Sequence, residues 1–296
     1  LLWCGRNVKT TDGSSLSMPD TEKNQQLYPQ PSSQKKGCGF PVMRIVATFC
    51  LASGMLLDCR KGSLDVHERT LWREGWECYE ENDVALADCG FCSYADYYLL
   101  KEKNVDSVMR LHQRRKEKEI IKKFNKNDYL VRWQKPKKSQ RPNWMSEQQW
   151  EQLPDEMTVR YVKVSIDIPG IRTKNFIVAT TLLDPKKFPA DAIADLYWRR
   201  WRCELFLRDL KTTMRMKVLS SKTPGMIHKE LTIFIIAYNL IRSLIWDAAL
   251  SNGADPERIS FKGAINVILQ WAPLIIMLKD IDEKKRYIEA LKGIIA

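Results

Sequence analysis

Histidine is scarce in this chain: 296 residues hold three, His67, His112 and His228, which form no cluster. Each reads as a surface or satisfied core residue. Glycine-rich phosphate loops of the Walker or dinucleotide type are absent, which argues against ATP-driven and nicotinamide chemistry. One C-x-x-C occurs, Cys89-Gly-Phe-Cys92, but no second pair exists and His112 alone completes it poorly, so zinc and redox roles are set aside. No stretch reaches the roughly 20 apolar residues that span a bilayer. The longest, Leu231 to Trp246, is interrupted by Asn239 and Arg242 and reads as a buried helix. The opening Leu1-Leu2-Trp3-Cys4 has neither the basic start nor the apolar segment of a signal peptide. Because the first residue is not Met, the chain reads as a piece of a longer protein. Its eight cysteines, scattered from Cys4 to Cys203, suit reduced thiols in a cytosolic protein better than a disulfide framework.

What is present is an ordinary globular balance, 44% hydrophobic and 28% charged, with a strong cationic excess. Lysine and arginine number 48 against 36 acids, a net charge of +12 and a pI near 9.3. The length suits one large domain or two modest ones. The charge calls for a polyanionic partner, nucleic acid or an anionic membrane surface.

Hydrophobic patterning predicts a short strand from Val8 that ends at Asp12-Gly13, then a long polar loop from Ser14 to Gly39. A hairpin of buried strands follows, Val42 to Leu51 and Met55 to Cys59, turning at Gly54. Leu64 to Tyr79 has helical spacing, Val84-Ala-Leu-Ala forms a short strand ending at Asp88, Ser93 to Lys103 a helix and Ser107 to Leu111 a strand. That order predicts an α/β fold with a mixed sheet. Asp12 and Asp88 both fall at strand ends, where open α/β sheets place ligands. From Arg110 to Arg141 there are thirteen Lys or Arg against three acids. Strand-like runs lie at Tyr129 to Gln134, Thr158 to Ile168 and Phe176 to Leu183. Trp133, Trp144 and Trp150 sit between the first two among cations, a pattern that suits stacking on bases, although each alone suits packing in a small sheet. The last third is helical: Ala190 to Lys217, Pro224 to about Leu250, a stretch opened by Asp255 to Glu257, and the amphipathic Asp280 to Ile295.

The first of these helices is the most informative. Tyr197, Arg200, Glu204 and Lys211 fall at roughly 0°, 300°, 340° and 320° on an α-helical wheel, one narrow stripe. An intrahelical Arg200–Glu204 pair would account for two of them at a few tenths of a kcal/mol, but leaves Lys211 without a role. With Asp12 and Asp88, Glu204 would make three carboxylates on separate elements. Such a set can hold two divalent cations about 3.5–4 Å apart for in-line attack on a phosphodiester. Mg²⁺ suits carboxylates and water, and the flanking cations would grip phosphates.

On these residues the sequence resembles the bacterial DDE transposases of the insertion-sequence-4 family. Four blocks carry the resemblance: Asp12-Gly-Ser-Ser-Leu-Ser-Met-Pro-Asp20, Lys36-Gly-Cys-Gly-Phe-Pro-Val-Met-Arg44, Leu86-Ala-Asp-Cys-Gly-Phe-Cys-Ser-Tyr94 and the Y-R-E-K helix from Tyr197 to Lys211. The resemblance implies a ribonuclease-H-like core with a β-rich insertion before the helix that carries the third acid. The implied organisation is core over 1–127, insertion over 128–184, core again over 185–250 and a helical segment over 251–296. It implies Asp12, Asp88 and Glu204 as catalytic and metal-binding residues, with two Mg²⁺ ions that Mn²⁺ can replace. Tyr197, Arg200 and Lys211 would contact phosphates at the element's end. Arg110 and Arg114 would contact the DNA backbone, and Trp144 or Trp150 would stack on a flipped base. The implied partners are double-stranded DNA and, on DNA, a second copy, in the bacterial cytoplasm at the nucleoid, with no membrane. Cys89 stands where many relatives have Arg, and the chain starts eleven residues before Asp12, without the helical N-terminal region of relatives. The alternative expectation is a truncated or domesticated relative that binds DNA without cutting it.

Overall fold

The structure is a computed structural model that describes residues 2–112, 115, 119–166 and 174–296. Along the chain come β1 (Val8–Ser17), α1 (Glu22–Leu27), β2 (Val42–Cys50), β3 (Leu56–Ser63), α2 (Glu68–Glu74), β4 (Val84–Ala87), α3 (Tyr94–Glu102) and β5 (Asp106–Arg110). Next are β6 (Glu119–Asn125), β7 (Asp128–Gln134), α4 (Glu147–Gln152), β8 (Glu156–Ile166) and β9 (Lys174–Thr180). The remainder is α5 (Ala190–Arg199), α6 (Trp201–Arg208), a π-helix at Asp209–Thr213, α7 (Pro224–Asn252), α8 (Phe261–Met277) and α9 (Ile281–Ile295). Two compact units form, Leu1–Asp12 with His67–Cys203 and Gly13–Val66 with Glu204–Ala296.

In the first unit the strands lie in the order β1-β4-β5-β9-β8-β7-β6. The β1–β4 and β4–β5 pairs are parallel and the others antiparallel. All four residues of β4 are buried, as expected of an apolar strand with parallel neighbours. Helix α3 starts where Ser93 Oγ accepts from Asp96 N at 3.2 Å, and Asp96 in turn accepts a two-pronged pair of bonds from Arg73 at 2.6 and 2.9 Å. Further out, the fully buried Arg160 of β8 grips the Asp128 carboxylate of β7 at 2.7 and 2.6 Å and donates to the carbonyls of Leu182 and Phe188. Phe188 precedes Pro189, the cap of α5, so this buried cation anchors the start of that helix.

In the second unit β2 lies beside β1 and pairs antiparallel with β3, with Gly54 at φ +72° in the turn between them. Helix α7 is long and apolar enough, by length and composition, to cross a membrane. One side of it is fastened to protein, where Asn239 exchanges hydrogen bonds with the Leu56 backbone at 2.9 and 2.8 Å and Arg242 is buried against Asp209. Ile233, Ile236 and Leu240 on it are exposed, so it is not the buried helix expected from the sequence. Parallel β1–β4–β5 with antiparallel strands beyond β5 is the mixed α/β arrangement expected from the sequence, consistent with a ribonuclease-H-like fold.

Several expected elements take other bounds in the structure. The strand from Val8 does not stop at Asp12 but runs to Ser17, because a bridge to Val218 supports its far end (Ser17 N to Lys217 O 3.1 Å, Leu219 N to Ser17 O 2.8 Å). The supposed loop after it contains α1, started by Thr21 accepting from Asn24 N. The single helix over 190–217 is three segments. At Arg200 it tightens, with Arg200 N bonded to Tyr197 O and Cys203 N to Arg200 O, each three residues apart. Beyond Arg208 it widens into the π-helix, and it ends by Arg215 at φ +63°. The one-stripe wheel therefore does not hold as far as Lys211. The predicted helix over 64–79 is shorter, and β6 and α4 carry no clear sequence signal. Ile168, expected in a strand, lies outside the described residues.

Candidate active site

Asp12 and Asp88 lie just past the parallel ladder between β1 and β4. The parallel ladder pairs Val8 with Val84, Lys9 with Ala85 and Thr10 with Leu86. Asp12 and Asp88 each follow the last of these pairs by two residues along the chain. Asp88 directly follows β4, and its Oδ1 accepts from Gly90 N at 2.7 Å, a tight turn that fixes the carboxylate at the strand's end. A side chain at Gly90 would stand 3.0 Å from that oxygen. Both carboxylates are half-buried.

Cations and a phenol surround the pair. Arg200 Nη1 lies 4.0 Å from Asp12 Oδ2, and its guanidinium is 5.9 Å from the Tyr197 ring. Tyr197 is buried against Phe176 of β9 at 5.3 Å, and Arg110, at the end of β5, lies 5.6 Å from the same Phe176 ring. Burial pushes the Tyr197 phenol up to about 12. The charges of Arg200 and Arg110 oppose this, and those of Asp88 and Cys89 add to it. At neutral pH Tyr197 is thus a protonated donor. Phe176, whose ring packs against both Tyr197 and Arg110, carried no signal as a site residue in the sequence.

The second unit holds the other two members of the helix signature. Glu204 is half-buried in the first turn of α6. Lys211 lies in the π-helix, where Nζ donates to Ser14 Oγ at 2.7 Å, two residues along β1 from Asp12. Partial burial, and then the charge of Lys217, lower the Lys211 ammonium. The Asp12-Gly-Ser-Ser block contained Ser14, but nothing in its spacing marked it as a partner of Lys211.

The two tryptophans differ. Trp150 is buried in α4 at 4% exposure, whereas Trp144 is 37% exposed and packs its face on Arg73 at 3.9 Å, the same Arg73 that holds Asp96. Arg114 lies outside the described residues. The Cys92 thiol, next to Cys89, is pushed up to about 11 mainly by burial, the opposite of an activated thiolate. Among the described residues no group of three or more His, Cys, Asp or Glu side chains gathers as a metal cluster. What the first unit does supply is two half-buried carboxylates, Asp12 and Asp88, oxygen donors suited to a hard divalent cation.

Residues 3–240 match the transposase DDE domain family, and the chain belongs to it. It is 28% identical over 278 residues to Transposase InsG for insertion sequence element IS4 of Escherichia coli (strain K12). That match covers 90% of this chain and 59% of the relative, so the chain spans about three fifths of the curated protein's length. Among solved structures, a cryo-EM structure of the piggyBac transposase synaptic complex with hairpin DNA aligns at TM-score 0.49 and 9% identity, over 98% of this chain and 57% of that one.

Proposed function

We propose that this chain is the catalytic core of a DNA transposase that hydrolyses a strand at an element's end and joins the freed 3′-OH to target DNA. The observation that carries this is Arg200 beside Asp12, with Tyr197 near Arg200 and feeling the charge of Asp88, just past the β1–β4 ladder of a member of the DDE family. Asp12 and Asp88, with Glu204 as the third carboxylate, would hold the divalent ions, Mg²⁺ or Mn²⁺ in its place. Bound there, the ions supply charge for the attacking and leaving oxygens. The chain's own groups do the rest. Arg200 and Arg110 neutralise phosphate oxygens near the acids, Tyr197 donates a hydrogen bond from a buried ring, and Lys211 grips a phosphate. Trp144, at the surface on a cationic support, is better placed than Trp150 to stack on a base. The net charge of +12 suits duplex DNA. On this reading the protein works in the cytoplasm at the nucleoid, with two copies pairing on DNA ends. The organisation into core, insertion over 128–184, core and C-terminal helices belongs to the same proposal.

The test is strand nicking of a duplex carrying the element's ends, with Mg²⁺ or Mn²⁺. Wild type should nick it, and Asp12→Asn, Asp88→Asn and Glu204→Gln should each abolish nicking while retaining DNA binding. Binding without nicking by wild type would favour the alternative, a relative that only occupies DNA.

A further inference from the structure

Between Glu204 and Lys211 the chain changes helix type. An α-helix over seven residues would bring Lys211 back to within about 20° of Glu204. The structure instead closes a five-residue π-turn, with Met214 N bonded to Asp209 O at 2.9 Å, and Lys211 lies inside it. A π-turn takes an extra residue and delays everything that follows it, and such turns concentrate at functional sites.

The turn has an identifiable holder. Asp209, its first residue, is buried, and its carboxylate accepts from Arg242 Nη2 of α7 at 2.6 Å and from the Thr213 hydroxyl at the turn's far end. Arg242 Nε donates to Tyr238 Oη at 3.1 Å, and that hydroxyl donates to Gly54 O at 2.7 Å. The Arg242 guanidinium lies 4.9 Å from the Phe206 ring and 4.7 Å from that of Phe261. One carboxylate thus ties both ends of the π-turn to a cation that is itself fixed on three sides. Beyond it, Lys217 N bonds to Lys211 O at 3.1 Å and closes the segment that points Lys211 at Ser14.

We propose that Asp209 and Arg242, with Thr213, are positioning residues: they hold the π-turn and thereby set where the Lys211 ammonium meets a DNA phosphate. This rests on the reading of Lys211 as a phosphate contact. It assigns a DNA-binding effect to a buried ion pair that touches no DNA.

The experiment is binding of the full chain to a labelled duplex by fluorescence anisotropy over a series of KCl concentrations, with thermal unfolding recorded for each variant. One phosphate contact contributes about 0.9 to the slope of log affinity against log salt. Lys211→Ala should reduce the slope by about that amount. Asp209→Asn, Arg242→Met and the milder Thr213→Val should each reduce it equally, and should change nothing further when combined with Lys211→Ala. Asp209→Asn and Arg242→Met alter net charge in opposite directions, so a shared fall in slope cannot come from charge alone. If either variant fails to fold, Thr213→Val, which removes only one hydrogen bond, decides the matter. A lowered melting temperature with an unchanged slope would overturn the positioning role and leave the pair merely structural. An unchanged slope in Lys211→Ala would instead overturn the phosphate contact itself, and the proposal with it.

Discussion

Replacing Arg160 by Met should cost the first unit far more than an ordinary core change. The guanidinium is fully buried, makes paired bonds of 2.7 and 2.6 Å to Asp128, and donates to Phe188 O at 2.7 Å and Leu182 O at 3.2 Å. Met fills similar volume but strands a buried carboxylate, and breaking one half of a buried pair costs about 3–5 kcal/mol. At roughly 2–4 °C per kcal/mol for a unit of this size, the unfolding transition should fall by about 6–20 °C. The double change Arg160→Met with Asp128→Leu removes the stranded charge. It should recover most of that loss, because an apolar replacement of a whole buried pair is often neutral or better. Thermal unfolding followed by circular dichroism reads both. DNA affinity should fall with the single change as well, since the lost carbonyl contacts free the start of the helix bearing Tyr197 and Arg200. An Arg160→Met protein that melts within about 2 °C of wild type would refute the reasoning, as would a double variant no better than the single.

Trp150→Ala should destabilise by about 3–5 kcal/mol in urea titration, because the ring is buried, whereas Trp144→Ala should cost no more than about 1 kcal/mol, the worth of an exposed cation–π contact, and weaken DNA binding instead. Gly54→Ala should lose more than about 1 kcal/mol in the same titration. The residue sits at φ +72°, and an added Cβ would lie 2.8 Å from Phe206. The Tyr197 phenol, raised to about 12 by burial, contributes stability that is complete below its unfolded value near 10 and is lost as pH rises through 12. Tyr197→Phe should therefore lose less stability than wild type between those values, by about 2 kcal/mol, in alkaline unfolding monitored by intrinsic fluorescence.

Local chemistry was legible where short elements carry their own signals. The apolar Val84–Ala87 strand, the Ser93 cap, the Gly54 turn and the Asp280 cap all lie where the residues place them. Two acids near neighbouring strands were legible in the sequence, but the parallel β1–β4 register that runs up to them is shown only by the folded ladder. The extension of β1 to Ser17 depends on Val218, about two hundred residues away. Periodicity could not reveal the π-turn either, because Asp209 and Thr213 look like ordinary helix residues until Arg242 of α7 is brought against them. The buried Arg160 stood inside a strand pattern with no hint of its partner. The expected stripe from Tyr197 to Lys211 failed for the same reason: a wheel assumes one helix type, and tertiary contacts chose two.

The central claim is that Asp12, Asp88 and Glu204 share divalent ions. Iron-directed hydroxyl-radical cleavage tests it most directly, because Fe²⁺ bound in place of Mg²⁺ cuts the backbone only nearby. The account predicts cuts beside Asp12, Asp88 and Glu204 in the same protein, suppressed together by excess Mg²⁺ and lost together in Asp88→Asn. Cuts confined to surface acids such as Asp282 and Glu283, or cuts at Asp12 that survive Asp88→Asn, would contradict it.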